Sequence, residues 1–597
     1  MQEGLQRALD QRCGKISITL PEAVDLIWAW FAFEAYRSFS AVVRPLVAAE
    51  DKRRYVTEED VTIPVSKTAI VMATVIRPRI VAGKLPAILE FVLDTDSRDA
   101  LEAAAHGYVS VLARARDLRD KTDPLPPFQS EGDDARAVIE WMAKQAWSNG
   151  RVGLLGTNYG GYVAWAAAKR APPPALKAIV TADPMAPGID LPMAGSGIFL
   201  NPAYRWLYSV TAAPDDKLIG DDARWRALDE DWYKNGRRYR EFPTLPGRAS
   251  TIFRGWLNHP SYDRYWQKML PFREEFARIN IPVLTVTGYY SAGASASLYY
   301  FTQHHQHNAH ANHALLIGPY DDQSLEHGAG ATLRGLPVDN AAIVDLHDAW
   351  YEWFDHALKG TKRPALLSAN VNYLLAGANE WRHTPVLDGP GTPLRFYLIE
   401  SASPSSDLNR LAEEKAGKLA YLPQTFDLQD RSDVSWRPVR ELVHRTLKAR
   451  DGELFVSEPL KQAVDVAGVL RGQLDFRVNK VDMDLVVSLY ELRPNGDYVK
   501  LFDPSYAFRA SYARDRAKRR LLHAGERQQL TFRSERMMAR RLQAGSRLIM
   551  ALGINKRADQ QLNYGTGDDV SEESIEDAGV PVRIRWYNSS FIEIPTQ

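Results

Sequence analysis

Arg151-Val-Gly-Leu-Leu-Gly156-Thr-Asn-Tyr-Gly160-Gly161 is the passage on which the architecture turns. Arg151 to Gly156 is a short apolar run that reads as a buried strand. Tyr162 to Arg170 is rich in alanine and reads as a helix. Between them the glycines at 156 and 160 frame a turn too tight for any larger residue. Strand, tight turn and helix in that order form the context of a nucleophile elbow, G-x-S-x-G, in which the middle residue stands above a sheet. Here the middle residue is Asn158. An amide is no nucleophile for acyl transfer, because its nitrogen lone pair is delocalised.

Outward from the elbow, strands alternate with helices. Pro86 to Leu93, Gly107 to Leu112 and Ala178 to Thr181 read as strands, and Asp133 to Gln145 as an amphipathic helix. The pattern resumes with Ile281 to Gly288, Ala314 to Gly318 and a helix over Leu346 to Lys359. This alternation predicts a parallel sheet with helices on both faces. Residues 185–275 interrupt it with helical fragments rich in Trp, Tyr and Arg, as a cap over a site would. Those aromatics could line a pocket or form the cap's own core. After residue 385 the texture becomes all-β, with the hairpin signal Pro494-Asn-Gly496. The expected division is a helical extension over 1–50, a core over 51–184 and 276–380, a cap over 185–275 and a β domain over 385–597. In the extension, Trp30, Phe31, Phe33, Tyr36 and Phe39 recur at near-helical spacing, and Pro45 is expected to close the run.

A chain of 597 residues suits two to four domains. Its 74 Lys and Arg balance its 74 Asp and Glu, so charge supplies no case for nucleic acid or an anionic membrane as partner. The single cysteine, Cys13, excludes an intrachain disulfide framework and any Cys-based metal cage. No stretch approaches the roughly 18 apolar residues of a membrane span. Leu26 to Phe33, the most apolar early run, lacks the basic lead and small-residue cleavage site of a signal peptide. A cytoplasmic location is the default expectation.

Several further motifs occur in a fixed order: Trp147-Ser-Asn-Gly150, Pro260-Ser-Tyr-Asp-Arg-Tyr-Trp266, Ile281 to Tyr290, Leu315-Leu-Ile-Gly-Pro-Tyr320, Trp353 to Gly360, and Val466-Ala-Gly468 with Asp482-Met-Asp484. With the elbow, they make the chain resemble the α/β-hydrolases of the cocaine-esterase, α-amino-acid ester hydrolase and X-Pro dipeptidyl peptidase (S15) group. The resemblance implies an α/β-hydrolase domain with a helical cap and a C-terminal jelly roll. It also implies an acyl hydrolase site, and there this sequence departs from the group. Asn158 stands at the nucleophile position, Ser291 at that of the acid and Asp322 at that of the histidine. The position of the tyrosine that assists the oxyanion hole aligns more loosely, with Asp94 or alternatively Leu93. The backbone N–H of Tyr159 is retained as an oxyanion donor.

Four coincident departures predict that triad hydrolysis is absent. The expected role is a pseudoenzyme that binds a small-molecule or peptide-like ligand in the capped pocket, or an active paralogue, without a cofactor or metal. Homo-oligomerisation is a further expectation. One alternative reuses Asp94 and Asp322 as an acid–base pair for cyclisation, lyase or isomerase chemistry, or as ligands to a hard cation. Another is residual hydrolysis of esters or aminoacyl amides. The plainer and preferred account is polar residues satisfying one another in a disused, wet pocket. Ser291, on a loop with no histidine in its motif, is a poor replacement nucleophile. Outside this set, the run His304, His305, His307, His310 and His313 reads as a solvated helix end rather than a metal site. His327 reads as exposed, His106 as packing or surface, and Arg533 to Arg541 as a solvated strand edge.

Overall fold

The computed structural model describes residues 2–10, 12–93, 98–117, 126–245, 247–401, 408–448 and 452–597. The chain opens with α1 (Gln2–Asp10) and the 35-residue α2 (Leu20–Arg54). A capping box starts α2: the Thr19 hydroxyl accepts from the Glu22 amide, and the Glu22 carboxylate accepts from the Thr19 amide at 2.8 Å. Pro45 does not close the run as expected; it lies inside the helix. Proline there removes one backbone hydrogen bond and crowds the carbonyl four residues earlier. Strong helix formers after it, and Glu50 paired with both Arg53 and Arg54, carry the helix on.

Strands β1 (Tyr55–Pro64), β2 (Ile70–Pro78), β3 (Leu85–Val92), β4 (Val109–Arg114), β5 (Ser148–Thr157) and β6 (Leu176–Ala182) build the first part of the main sheet. Between them run α3 (Arg98–Ala105), α4 (Glu131–Ala143) and α5 (Asn158–Ala168). The segment that follows holds the two-residue strands β7 (Met193–Ala194) and β8 (Ile198–Phe199) and the helices α6 (Asn201–Thr211), α7 (Asp222–Asn235), α8 (Arg248–Trp256) and α9 (Arg264–Gln267). The sheet then continues with β9 (Val283–Gly288), α10 (Ala294–His307), β10 (His313–Gly318) and α11 (Asp322–His327). After the small ribbon of β11 (Thr332–Leu333) and β12 (Leu336–Pro337) come α12 (Leu346–Phe354), β13 (Val371–Leu375) and β14 (Glu380–Thr384).

Among the described residues the main sheet has ten strands in the order β1-β2-β4-β3-β5-β6-β9-β10-β13-β14. Pairing from β4 through β13 is parallel, and the outer pairs are antiparallel. Helices cover both faces, so the inner strands are apolar throughout: Val152, Leu154, Ile179, Val180, Val283 and Leu284 are all buried. The chain reverses its direction across the sheet between β4 and β5, on either side of β3. Crevices beyond the carboxyl ends of strands at such a switch point bind ligands in open α/β sheets.

The aromatics of the helical segment form its own core. Trp225, Trp232, Tyr239, Phe242, Phe253 and Trp256 are buried, with Trp232 edge-on to Tyr239 at 5.2 Å between ring centres. The C-terminal region is an all-β domain built on a 13-stranded sheet among the described residues, its longest pair being Val464–Val478 with Arg527–Leu542. The hairpin signal holds: Asp484–Leu492 turns back into Tyr498–Lys500, with Gly496 at φ +85°. This domain is bonded to the loops above the main sheet. The Asp503 amide donates to the Tyr289 carbonyl at 3.1 Å and the Arg509 amide to the Gly195 carbonyl at 3.0 Å.

Candidate active site

The elbow forms where β5 passes into α5. Asn158 has φ +47°, in the left-handed region that Asn tolerates better than most residues. Its side chain is exposed, and its carbonyl is held by the Met185 amide at 2.9 Å. The glycine requirement is steric. A Cβ on Gly156 would lie 2.2 Å from the Gly160 carbonyl carbon, and one on Gly160 would lie 2.8 Å from the Phe91 carbonyl oxygen. The Tyr159 N–H belongs to the first turn of α5, whose amides have no partner within the helix. The Tyr159 ring is buried against Phe128 and Trp206, and its hydroxyl donates to Glu131. Burial raises the pKa of Glu131 and of Tyr159, against hydrogen bonds that partly hold Glu131 down.

Ser291 follows β9 and is fully buried at 0 % exposure. Its hydroxyl donates to the Asp183 carboxylate, which also accepts from Thr287 Oγ1 at 2.6 Å. Asp322 is the first residue of α11; it is exposed, and its Oδ1 accepts from the Ala292 amide at 3.1 Å. The loop after β9 thus brings Ser291 and Asp322 to one place, with Asp183 beneath them. Asp94 lies outside the described residues; Leu93, its alternative, is half-buried at the end of β3.

Asp183 carries no sequence motif that would mark it. It follows β6 with φ +45°, and Gly293 packs so closely on it that a Cβ there would lie 2.7 Å from the Asp183 Cβ. Burial pushes its carboxyl up to about 7. The Ser291 and Thr287 hydroxyls pull the other way, while the charge and hydrogen bond of Asp322 add to the rise. Arg536, part of the run expected to be a solvated edge, reaches in from the β domain. Its Nη1 donates to the Ser291 carbonyl at 2.7 Å and its Nη2 to the Ala292 carbonyl at 3.3 Å. Burial lowers its pKa, and the carboxylates of Asp503, Glu535, Asp183 and Asp322 act in the opposite direction. Arg533 to Arg541 is therefore not a wholly solvated edge: Arg536 and Arg540 are buried, the latter bonded to Glu491 at 2.8 Å.

The histidine run is also corrected. His304 and His313 are buried beside Trp165, with their Nδ1 atoms 3.2 Å apart, and His304 Nε2 is bonded to the Ile279 carbonyl. Burial pushes His304 down to about 4 and His313 well below the usual range, so both are neutral packing residues. Apolar neighbours from α5 and α10 close over a helix end that composition alone presents as wet. His106 stacks on Tyr351 at 4.0 Å, and His327 is exposed. Cys13 is exposed and remote from the site in sequence. Two cavities, of about 400 and 140 Å³, lie elsewhere: one beside β1, β2 and β4, the other between β12 and the β domain. Neither is lined by Asn158, Ser291 or Asp322.

A mostly parallel sheet with a glycine-framed elbow at its switch point defines an α/β-hydrolase. Residues 68–321 match the X-Pro dipeptidyl-peptidase (S15 family) model, and residues 367–549 match the X-Pro dipeptidyl-peptidase C-terminal non-catalytic domain. The chain belongs to this S15 and cocaine-esterase group of hydrolases. Cocaine esterase from Rhodococcus sp. (strain MB1 Bresler) is 25% identical over 530 residues, which cover 82% of this chain and 87% of that protein. An aminopeptidase from a marine sediment archaeon (Thaumarchaeota archaeon) superposes with a TM-score of 0.73 at 19% identity, over 91% of this chain and 96% of its own. An α-amino acid ester hydrolase gives the same TM-score and identity over 91% and 97%.

Proposed function

We propose that this protein is a degenerate member of its hydrolase group that binds an ester-like or peptide-like ligand at the elbow without cleaving it through a Ser-His-Asp triad. The observation that carries this reading is the state of the only hydroxyl at the three positions. Ser291 is buried and donates to Asp183, while the elbow itself presents an amide. Loss of the nucleophile or the base alone costs about 10⁶ in kcat, roughly 8 kcal/mol. The retained Tyr159 N–H and ligand binding would leave only about 10³–10⁴ over water.

A second reading has one observation in its favour. Asp183, held near 7, and the exposed Asp322 beside it form a carboxyl pair suited to acid–base chemistry near neutrality. In that reading Asp183 takes the part first given to Asp94.

A fluorophosphonate label and a panel of activated esters and aminoacyl amides test both. The expected result is no labelling and no turnover; labelling at Ser291, or turnover lost in Ser291→Ala, would overturn the proposal. Restoring Asn158→Ser, Ser291→Asp and Asp322→His together is expected to create measurable esterase activity. Turnover by the wild type that survives Ser291→Ala but is abolished by Asp322→Asn at unchanged Tm would favour the acid–base reading.

A further inference from the structure

Helix α2 is about 52 Å long at 1.5 Å per residue and leaves a stripe of large apolar side chains uncovered. Val24, Trp28, Phe31, Phe39, Val42 and Leu46 form the stripe; Trp28 is 69 % exposed and Leu46 64 %. With Ala35 at the centre, the steps along the stripe are four, three and four residues, then four, three and four again. The pattern is therefore palindromic about Ala35. From Val24 to Leu46 it advances 22 residues in six turns, about 3.67 per turn, the spacing of a gently right-handed helix pair.

We infer that this face is where a second copy of the same chain docks, with the two α2 helices antiparallel and their dyad at Ala35. In that register Val24 meets Leu46 of the second copy, Trp28 meets Val42 and Phe31 meets Phe39. The smallest residue of the stripe meets itself where the helices come closest. Charge favours the same arrangement. Glu22, Asp25 and Glu34 make the first half of α2 acidic, while Arg37, Arg44 and the Lys52 to Arg54 run outnumber Glu50 and Asp51 in the second. Antiparallel pairing brings Asp25 within one residue of the second copy's Arg44, and Glu34 within one residue of its Arg37. A parallel pair would set like charge beside like and drive the two hydrolase bodies together.

The six side chains at roughly 100 Å² each offer about 600 Å² per chain. That reaches the top of the roughly 300–600 Å² of the largest patch on a typical monomer and approaches the ~800 Å² per partner of a stable interface. A lipid surface fits less well. The five acidic and five basic residues of α2 cancel, and no described helix is long and apolar enough to cross a membrane.

Cysteine cross-linking of the full chain tests the register, in a Cys13→Ser background that removes the native thiol. Ala35→Cys is expected to give a covalent dimer under mild oxidation, and so is the pair Val24→Cys with Leu46→Cys. Val24→Cys alone is not. By light scattering, the untreated protein is expected at twice its 67.2 kDa chain mass at micromolar concentration. Phe31→Glu should halve that mass while circular dichroism keeps the folded signature. A monomer in detergent-free buffer, a dimer unmoved by Phe31→Glu, or cross-linking by Val24→Cys alone would each overturn the inference. So would a monomer that floats with phosphatidylcholine vesicles.

Discussion

Asp183 shows how a residue with no motif can hold a site together. Its carboxyl ordinarily titrates near 4, and burial raises it to about 7 in the folded chain. The folded state therefore binds more protons than the unfolded chain between those values. The sign follows from linkage: this group's contribution is fully present below about pH 4 and is lost as pH rises toward 7. Asp183→Asn is expected to flatten the fall of Tm with pH across that window by about one proton's worth. Asp190 and Asp229, both also pushed up to about 7 by burial, add to that fall, while the buried neutral His304 and His313 oppose it. Calorimetry at pH 4.5, 5.5 and 6.5 on both proteins checks this, and parallel curves would remove Asp183 from the account.

Among the elements, α2 departs furthest from its expected form. Pro45 reads as a terminator, yet the helix passes through it and ends at Arg54, directly before β1. An interior proline costs roughly 3 kcal/mol relative to alanine. Pro45→Ala should therefore slow amide exchange over residues 41–49 at least tenfold and leave β1 unchanged, as read by hydrogen exchange with mass spectrometry. By contrast, the β5–α5 elbow follows its sequence closely. Gly156 and Gly160 sit where any side chain would collide with backbone, and that requirement is local and visible in eleven residues.

The whole molecule ties the two large domains together at the candidate site. Arg536 comes from the β domain, 245 residues after the Ser291 carbonyl to which it donates. It is also the buried cation that Asp503, Glu535, Asp183 and Asp322 face. Removing one partner from such a buried charge set costs about 3–5 kcal/mol, because the remaining charges keep their desolvation penalty. Arg536→Met is expected to lower stability by that order in chemical denaturation. Arg533→Met, on the exposed part of the same strand, should change it by less than about 1 kcal/mol. Equal losses would place the effect in the strand rather than in the buried charge.

Sequence by itself determined the hydrolase scaffold, the elbow, the all-β C-terminal domain and the identities at 158, 291 and 322. Each depends on local steric demand, on the period of apolar residues or on an ordered set of motifs. Only the tertiary structure decided what surrounds those positions. Asp183 beneath Ser291 and Arg536 above it are joined by contacts 108 and 245 residues apart, and no periodicity registers such separations. Burial made the same decision for the histidines. His304 and His313 look wet in a polar run, but they are dry because Trp165 and the Ile279 carbonyl close over them, and desolvation then holds them neutral.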